Sequence, residues 1–131
     1  MTFRLEFEIP SLPKRPNELL GAHWRSRSNH KKKWLRLIHL VTLGKRPVKP
    51  LEKAKLTLTR FSAVEPDEDG LSGSFKPVVD SLVDLDILID DRRENTGVPD
   101  YRWVKCSPRK GKIQVIVEEI AMTKPDKERE L

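Results

Sequence analysis

The sequence predicts a small α+β domain, a mixed β-sheet with helices packed against it, in the order strand, helix, strand, helix, strand, strand. Three observations predict it. Apolar residues alternate with polar ones in several short segments, which is the period of a half-buried strand. Two other segments carry apolar residues at helical spacing. A length of 131 residues suits one domain with a real core and is small for two. Residues 1–122 are therefore read as the domain, and the charged residues 123–131 as a tail expected to fray.

The first strand rests on Phe3, Leu5, Phe7 and Ile9, which alternate with Thr2, Arg4, Glu6 and Glu8. The next segment, residues 10–28, has three prolines and no clean period, so it reads as a loop with one short turn. From Ser28 to Leu43 the residues Trp34, Leu37, Ile38 and Val41, with Leu35, Leu40 and Leu43, make a wide helical face that ends at Gly44 and Pro47. Ala54, Leu56 and Leu58 alternate with Lys55, Thr57 and Thr59, predicting a second strand that runs toward an acidic segment. Leu71, Phe75, Val78, Val79 and Leu82 follow helical spacing, and Pro77 requires that the regular helix start near Lys76 or bend there. Residues 92–100 read as an irregular loop. Tyr101–Cys106 and Lys112–Ile120 look like two antiparallel strands joined through residues 107–111.

The charge is segregated along the chain. Residues 1–60 carry 15 lysines and arginines against 4 acids, residues 61–100 carry 3 against 11, and residues 101–131 carry 8 against 5, for a net +6 overall. A basic surface around an acidic pocket suits chemistry on a phosphodiester, because the rim holds polyanion while the pocket holds a metal. Asp67 and Asp69 stand at alternate positions, Lys76 follows, and an apolar run ends in Asp90 and Asp91. Clustered carboxylates repel unless a cation neutralises them. Magnesium fits such an all-oxygen set, and neither a His pair nor a Cys pair stands nearby to favour zinc. Asp-x-Asp by itself is short and common, and a solvated acidic loop is its plain alternative; for Lys76 the alternative is an ion pair with Asp80 four residues on.

The predicted helix of residues 28–43 opens with His30, Lys31, Lys32, Lys33 and Arg36, the wrong sign for a helix amino terminus. Phosphate contact from Arg25, Arg27, Lys31, Lys32, Lys33 and Arg36 explains that placement. Several classes are excluded. Asp67-Glu-Asp-Gly70 has the wrong glycine position for an EF-hand. No glycine-rich phosphate loop or dinucleotide fingerprint is present, so no organic cofactor is expected. His23, His30 and His39 have no metal-ligand spacing, and Trp34 and Trp103 read as core rather than as stacking platforms. No stretch approaches a membrane span, the first residues form a strand pattern rather than a signal peptide, and the single Cys106 cannot form an internal disulfide. A soluble, cytoplasmic protein is expected.

These residues resemble the RusA-like Holliday junction resolvases of bacteria and their phages. The family signature runs Asp-x-Asp-Asn-Leu, then Lys-Pro, a hydrophobic pair, Asp-x-Leu and a final Asp-Asp. Here it stands as Asp67-Glu-Asp69-Gly70-Leu71, Lys76-Pro77-Val78-Val79-Asp80-Ser81-Leu82 and Ile89-Asp90-Asp91, with Gly70 in the place of the usual asparagine. Pro16-Asn17-Glu18, His23-Trp24 and the basic run to Trp34 also look like the family's early segment. The resemblance implies that residues 1–122 form a nuclease domain that acts as a homodimer and resolves four-way DNA junctions by paired nicks. It implies magnesium as cofactor, with manganese as a substitute. By resemblance, Asp67, Asp69 and Asp91 match the metal-binding acids, with Asp90 beside them, and Lys76 matches the catalytic lysine. Two other expectations stand next to it: a branched-DNA binding protein with a degenerate acidic site, and a nuclease of broader taste acting on flaps or forks.

Overall fold

A computed structural model of the protein describes residues 2–19 and 24–120; His23 and the expected tail lie outside the described residues. The elements are β1 (Arg4–Ile9), α1 (Pro16–Leu19), α2 (Trp24–Val41), β2 (Ala54–Ser62), α3 (Glu68–Ser74), α4 (Lys76–Asp84), α5 (Arg93–Thr96), β3 (Asp100–Lys105) and β4 (Lys112–Glu119). With α1 and α5 as single turns, this is the α+β order expected from the sequence. Among the described residues, no helix is long and apolar enough to cross a membrane.

The four strands form one mixed sheet in the order β1-β4-β2-β3. β4 runs antiparallel to both β1 and β2, whereas β2 and β3 are parallel. One face is apolar because the inward positions coincide in register: Leu5 faces Val117, Phe7 faces Val115 and Ile9 faces Ile113. Leu56 and Leu58 continue that face on β2. Trp34 and Ile38 of α2 and Val78 and Leu82 of α4 cover it, and all four are fully buried. Each such side chain contributes roughly 1.5–3 kcal/mol relative to exposure. The other face is polar, laced by pairs such as Lys112 with Glu8 and Gln114 with Glu6.

The expected β3–β4 hairpin does not form, because β2 lies between the two strands. They run in opposite directions, as expected, but residues 106–111 cross the end of β2 instead of making a tight turn. The Cys106 amide donates to Ser62 O, and a short 3-10 turn at Pro108–Lys110 completes the passage. Elsewhere the sequence signals coincide with the boundaries. α2 closes where Thr42 Oγ1 donates back to Ile38 O and Gly44 takes the left-handed conformation (φ 74°) that a glycine reaches without Cβ strain. α2 starts four residues earlier than its apolar pattern, since Trp24 to Arg27 are exposed and carry no periodic signal.

The second helical segment is broken at Phe75, which is at once the carboxyl cap of α3 and the amino cap of α4. Pro77 therefore stands in the first turn of a new helix, where its missing N–H costs nothing. Beyond α4, Asp86 adopts a positive φ of 60°, a conformation tolerated by aspartate better than by most residues. That turn brings Ile87 to Ile89 alongside Leu51: the Leu51 amide donates to Ile87 O and the Ile89 amide to Leu51 O. The segment leading to Asp90 and Asp91 is thereby anchored to the chain just before β2.

Candidate active site

Four pieces of chain converge on one cavity of about 690 Å³. α3 supplies Asp69, the first turns of α4 supply Lys76 and Asp80, the segment after Ile89 supplies Asp91, and β3 supplies Asp100 and Tyr101. The break at Phe75 matters here. It buries the Phe75 ring against Tyr101, with centroids 6.1 Å apart, and leaves the Lys76 side chain 71% exposed on the cavity wall. Residues distant in sequence are thus brought together by α3 packing on the edge strand β3 and α4 packing on α2.

The carboxylates differ in what holds them. Asp80 is engaged by two lysines, with Lys76 Nζ 3.4 Å from Oδ1 and Lys31 Nζ 4.0 Å from Oδ2. Asp100 accepts from both Arg102 Nη2 (2.7 Å) and Nε (3.0 Å), and these hydrogen bonds hold its pKa below the usual carboxylate value. The Asp69 and Asp91 carboxylates, by contrast, have no hydrogen-bond or ion-pair partner among the described residues. Two such acids lining one cavity offer oxygen donors only. They fit magnesium, which takes one or two carboxylates and completes its shell with water and substrate phosphate. Among the described residues, no three His, Cys, Asp or Glu side chains gather closely enough to enclose a metal ion by themselves.

Asp67 and Asp90 stand apart from that pair. Asp67 is the amino cap of α3, and its Oδ1 accepts from the Gly70 amide at 2.6 Å. Asp90 accepts from Asn95 Nδ2 (2.8 Å) and the Arg92 amide (3.0 Å), which lower its pKa and tie down the turn that presents Asp91. Neither lines the cavity. Replacing Asp67 with alanine is expected to cost about 0.5–2 kcal/mol as a lost helix cap, whereas asparagine caps nearly as well and leaves stability unchanged. Urea midpoints of the two variants check this. Gly70 is coupled to the same cap, because a Cβ there would lie 2.6 Å from Asp67 Oδ1 and displace the carboxylate.

The six basic residues proposed for phosphate contact are all exposed on α2, and the structure divides them. Arg27 and Lys31 line a second groove of about 410 Å³ that shares Gly73, Lys76 and Asp80 with the acidic cavity. Arg25, Lys32 and Arg36, spaced by seven and four residues, form a separate stripe, with Lys33 beside it. Asp80, Asp100 and Tyr101 were not nominated from sequence. Asp80 offered the ion-pair explanation found here, and nothing local marks Asp100.

Arg60 was also missed. It continues the inward positions 54, 56 and 58, is only 6% exposed, and donates from Nη1 to Pro13 O at 2.7 Å, pinning the loop after β1 over the sheet. His30 performs a similar task from α2, since its Nε2 accepts from the Lys14 amide at 3.1 Å. Burial first, then the charges of Lys14 and Lys33, lower its pKa, against a smaller opposing effect of Glu18. The unfolded chain therefore takes up a proton on this histidine at higher pH than the folded one. Its contribution is complete above the ordinary imidazole pKa of about 6.5 and is lost as pH falls below it toward the depressed folded value. Denaturant midpoints should drop between about pH 7.5 and 5.5 in the wild type, and His30→Gln should flatten that slope.

No protein-family model matches the chain, and no curated protein matches it.

Proposed function

We propose that the protein is a magnesium-dependent, structure-specific endonuclease that resolves four-way DNA junctions by paired nicks. The observation that carries this reading is that Asp69 and Asp91, carboxylates with no partner among the described residues, line one cavity with Lys76 beside a basic helix. Asp69 and Asp91 would hold the metal, whose chemistry when bound is Lewis-acid activation of water and phosphate. Lys76 stabilises the negative charge that develops on the phosphoryl oxygens or the leaving group. It leaves Asp80 for substrate at small cost, because an exposed pair of this kind contributes little. The basic residues of α2 hold the strands through phosphate contacts whose strength falls with salt.

Resolution requires cuts in two opposed strands of a two-fold substrate, which a homodimer with two such cavities supplies. The test is a labelled synthetic four-way junction incubated with the protein, with and without magnesium, beside flap and linear duplex controls. Symmetric nicks in the junction that need the metal support the reading; equal cutting of linear duplex would replace it with a less selective nuclease. A second reading, a branched-DNA binding protein that does not cut, is favoured by the engagement of Asp67 as a helix cap rather than as a third free acid. It predicts junction binding and no nicks with any divalent ion.

A further inference from the structure

We infer that the groove beside the acidic cavity is a subsite for one unpaired nucleotide of the DNA strand, an inference that rests on the nuclease reading above. Its surface is mostly apolar and includes Leu19, Pro77 and Gly73; three cations, Arg27, Lys31 and Lys76, line it together with His30 and one acid, Asp80. Apolar surface next to three cations that outnumber the single acid Asp80 is complementary to a nucleobase whose sugar carries phosphate. A base can lie on the Leu19–Pro77 surface under the planar Arg27 guanidinium, while its flanking phosphates meet Lys31 and Lys76. A groove of about 410 Å³ has room for a single nucleotide.

Position gives the groove its role. Gly73, Lys76 and Asp80 belong to both cavities, so a strand whose scissile phosphate lies by Asp69 and Asp91 has its neighbouring nucleotide beside this groove. Asp80 holds Lys31 and Lys76 together in the absence of DNA. A phosphate entering between them takes over that contact. The subsite accepts nucleotides that leave the stack at a branch point and disfavours continuous duplex, which ties strand selection to helix distortion rather than to sequence.

The experiment compares equilibrium binding, in EDTA, of a fluorescent oligodeoxythymidine of about 12 nucleotides with that of an abasic oligomer of equal length and charge. The normal oligonucleotide is expected to bind about 10-fold more tightly. Leu19→Asn, which puts a polar amide on the apolar surface, should reduce that ratio, and so should Arg27→Ala. Equal affinity of the two oligomers for the wild type would overturn the inference while leaving the nuclease reading intact. A ratio unchanged by both variants would do the same. No binding of either oligomer or of a four-way junction would overturn the inference and the nuclease reading together.

Discussion

Asp91→Asn is expected to lower magnesium-dependent nicking of a four-way junction at least about 100-fold while leaving the fold as stable as before. The two halves of this outcome come from one observation: the Asp91 carboxylate is exposed, lines the cavity and has no partner among the described residues. Removing it breaks no hydrogen bond among the described residues. It also relieves repulsion with Asp69, Asp80 and Asp100 on the same cavity, so the denaturation midpoint should hold or rise slightly. Asp69→Asn should behave alike, and the double variant should lose little beyond either single one if both acids act as a unit. Junction affinity without metal should not fall, since a negative charge next to phosphate is lost. Cleavage at the wild-type rate would sink the assignment of Asp91, and a large loss of stability would show that it serves the fold instead.

Phe75→Ala should act oppositely, removing roughly 3–5 kcal/mol of stability and taking activity with it. The ring is completely buried, packs on Tyr101 and occupies the residue where α3 hands over to α4. A cavity there would lie under the wall that carries Asp69 and Lys76. Domains are stable by only about 5–15 kcal/mol in total, so this loss is a large fraction, and thermal unfolding should fall by on the order of 10 °C. Phe75→Leu should recover much of the difference, because it keeps most of the apolar volume. A midpoint shift of less than about 1 kcal/mol for Phe75→Ala would mean that the α3–α4 break is held by other contacts.

The elements that could be read from sequence are those whose signals are local. Alternation over Phe3 to Ile9 marks β1, and Pro77 marks the restart of the helix near Lys76. Pairing between strands is not local. Nothing in Tyr101–Cys106 states that its neighbour is β2 rather than β4, and the passage through residues 106–111 has the length of an ordinary hairpin loop. The acidic pair Asp67 and Asp69 was legible as a cluster but not as two different environments, because which of them caps a helix depends on where the helix begins. Arg60 was hidden for a related reason. Its inward position followed from the period of β2, but the carbonyl that receives it lies 47 residues away, on Pro13.

The place of β4 has a consequence for how the chain reaches this state. Among the described residues it is the last strand and the only one that β1 pairs with, yet it lies inside the sheet, so Arg4 must find Glu118 across nearly the whole chain. Such long-range pairing closes large loops before it is rewarded and slows folding. During synthesis, β1 and the apolar faces of α2 and α4 leave the ribosome without the strand that completes their cover. The cavity takes shape only after Lys112 to Glu119 has emerged, so a nascent or truncated chain lacking β4 has the residues that line it but not the cavity itself.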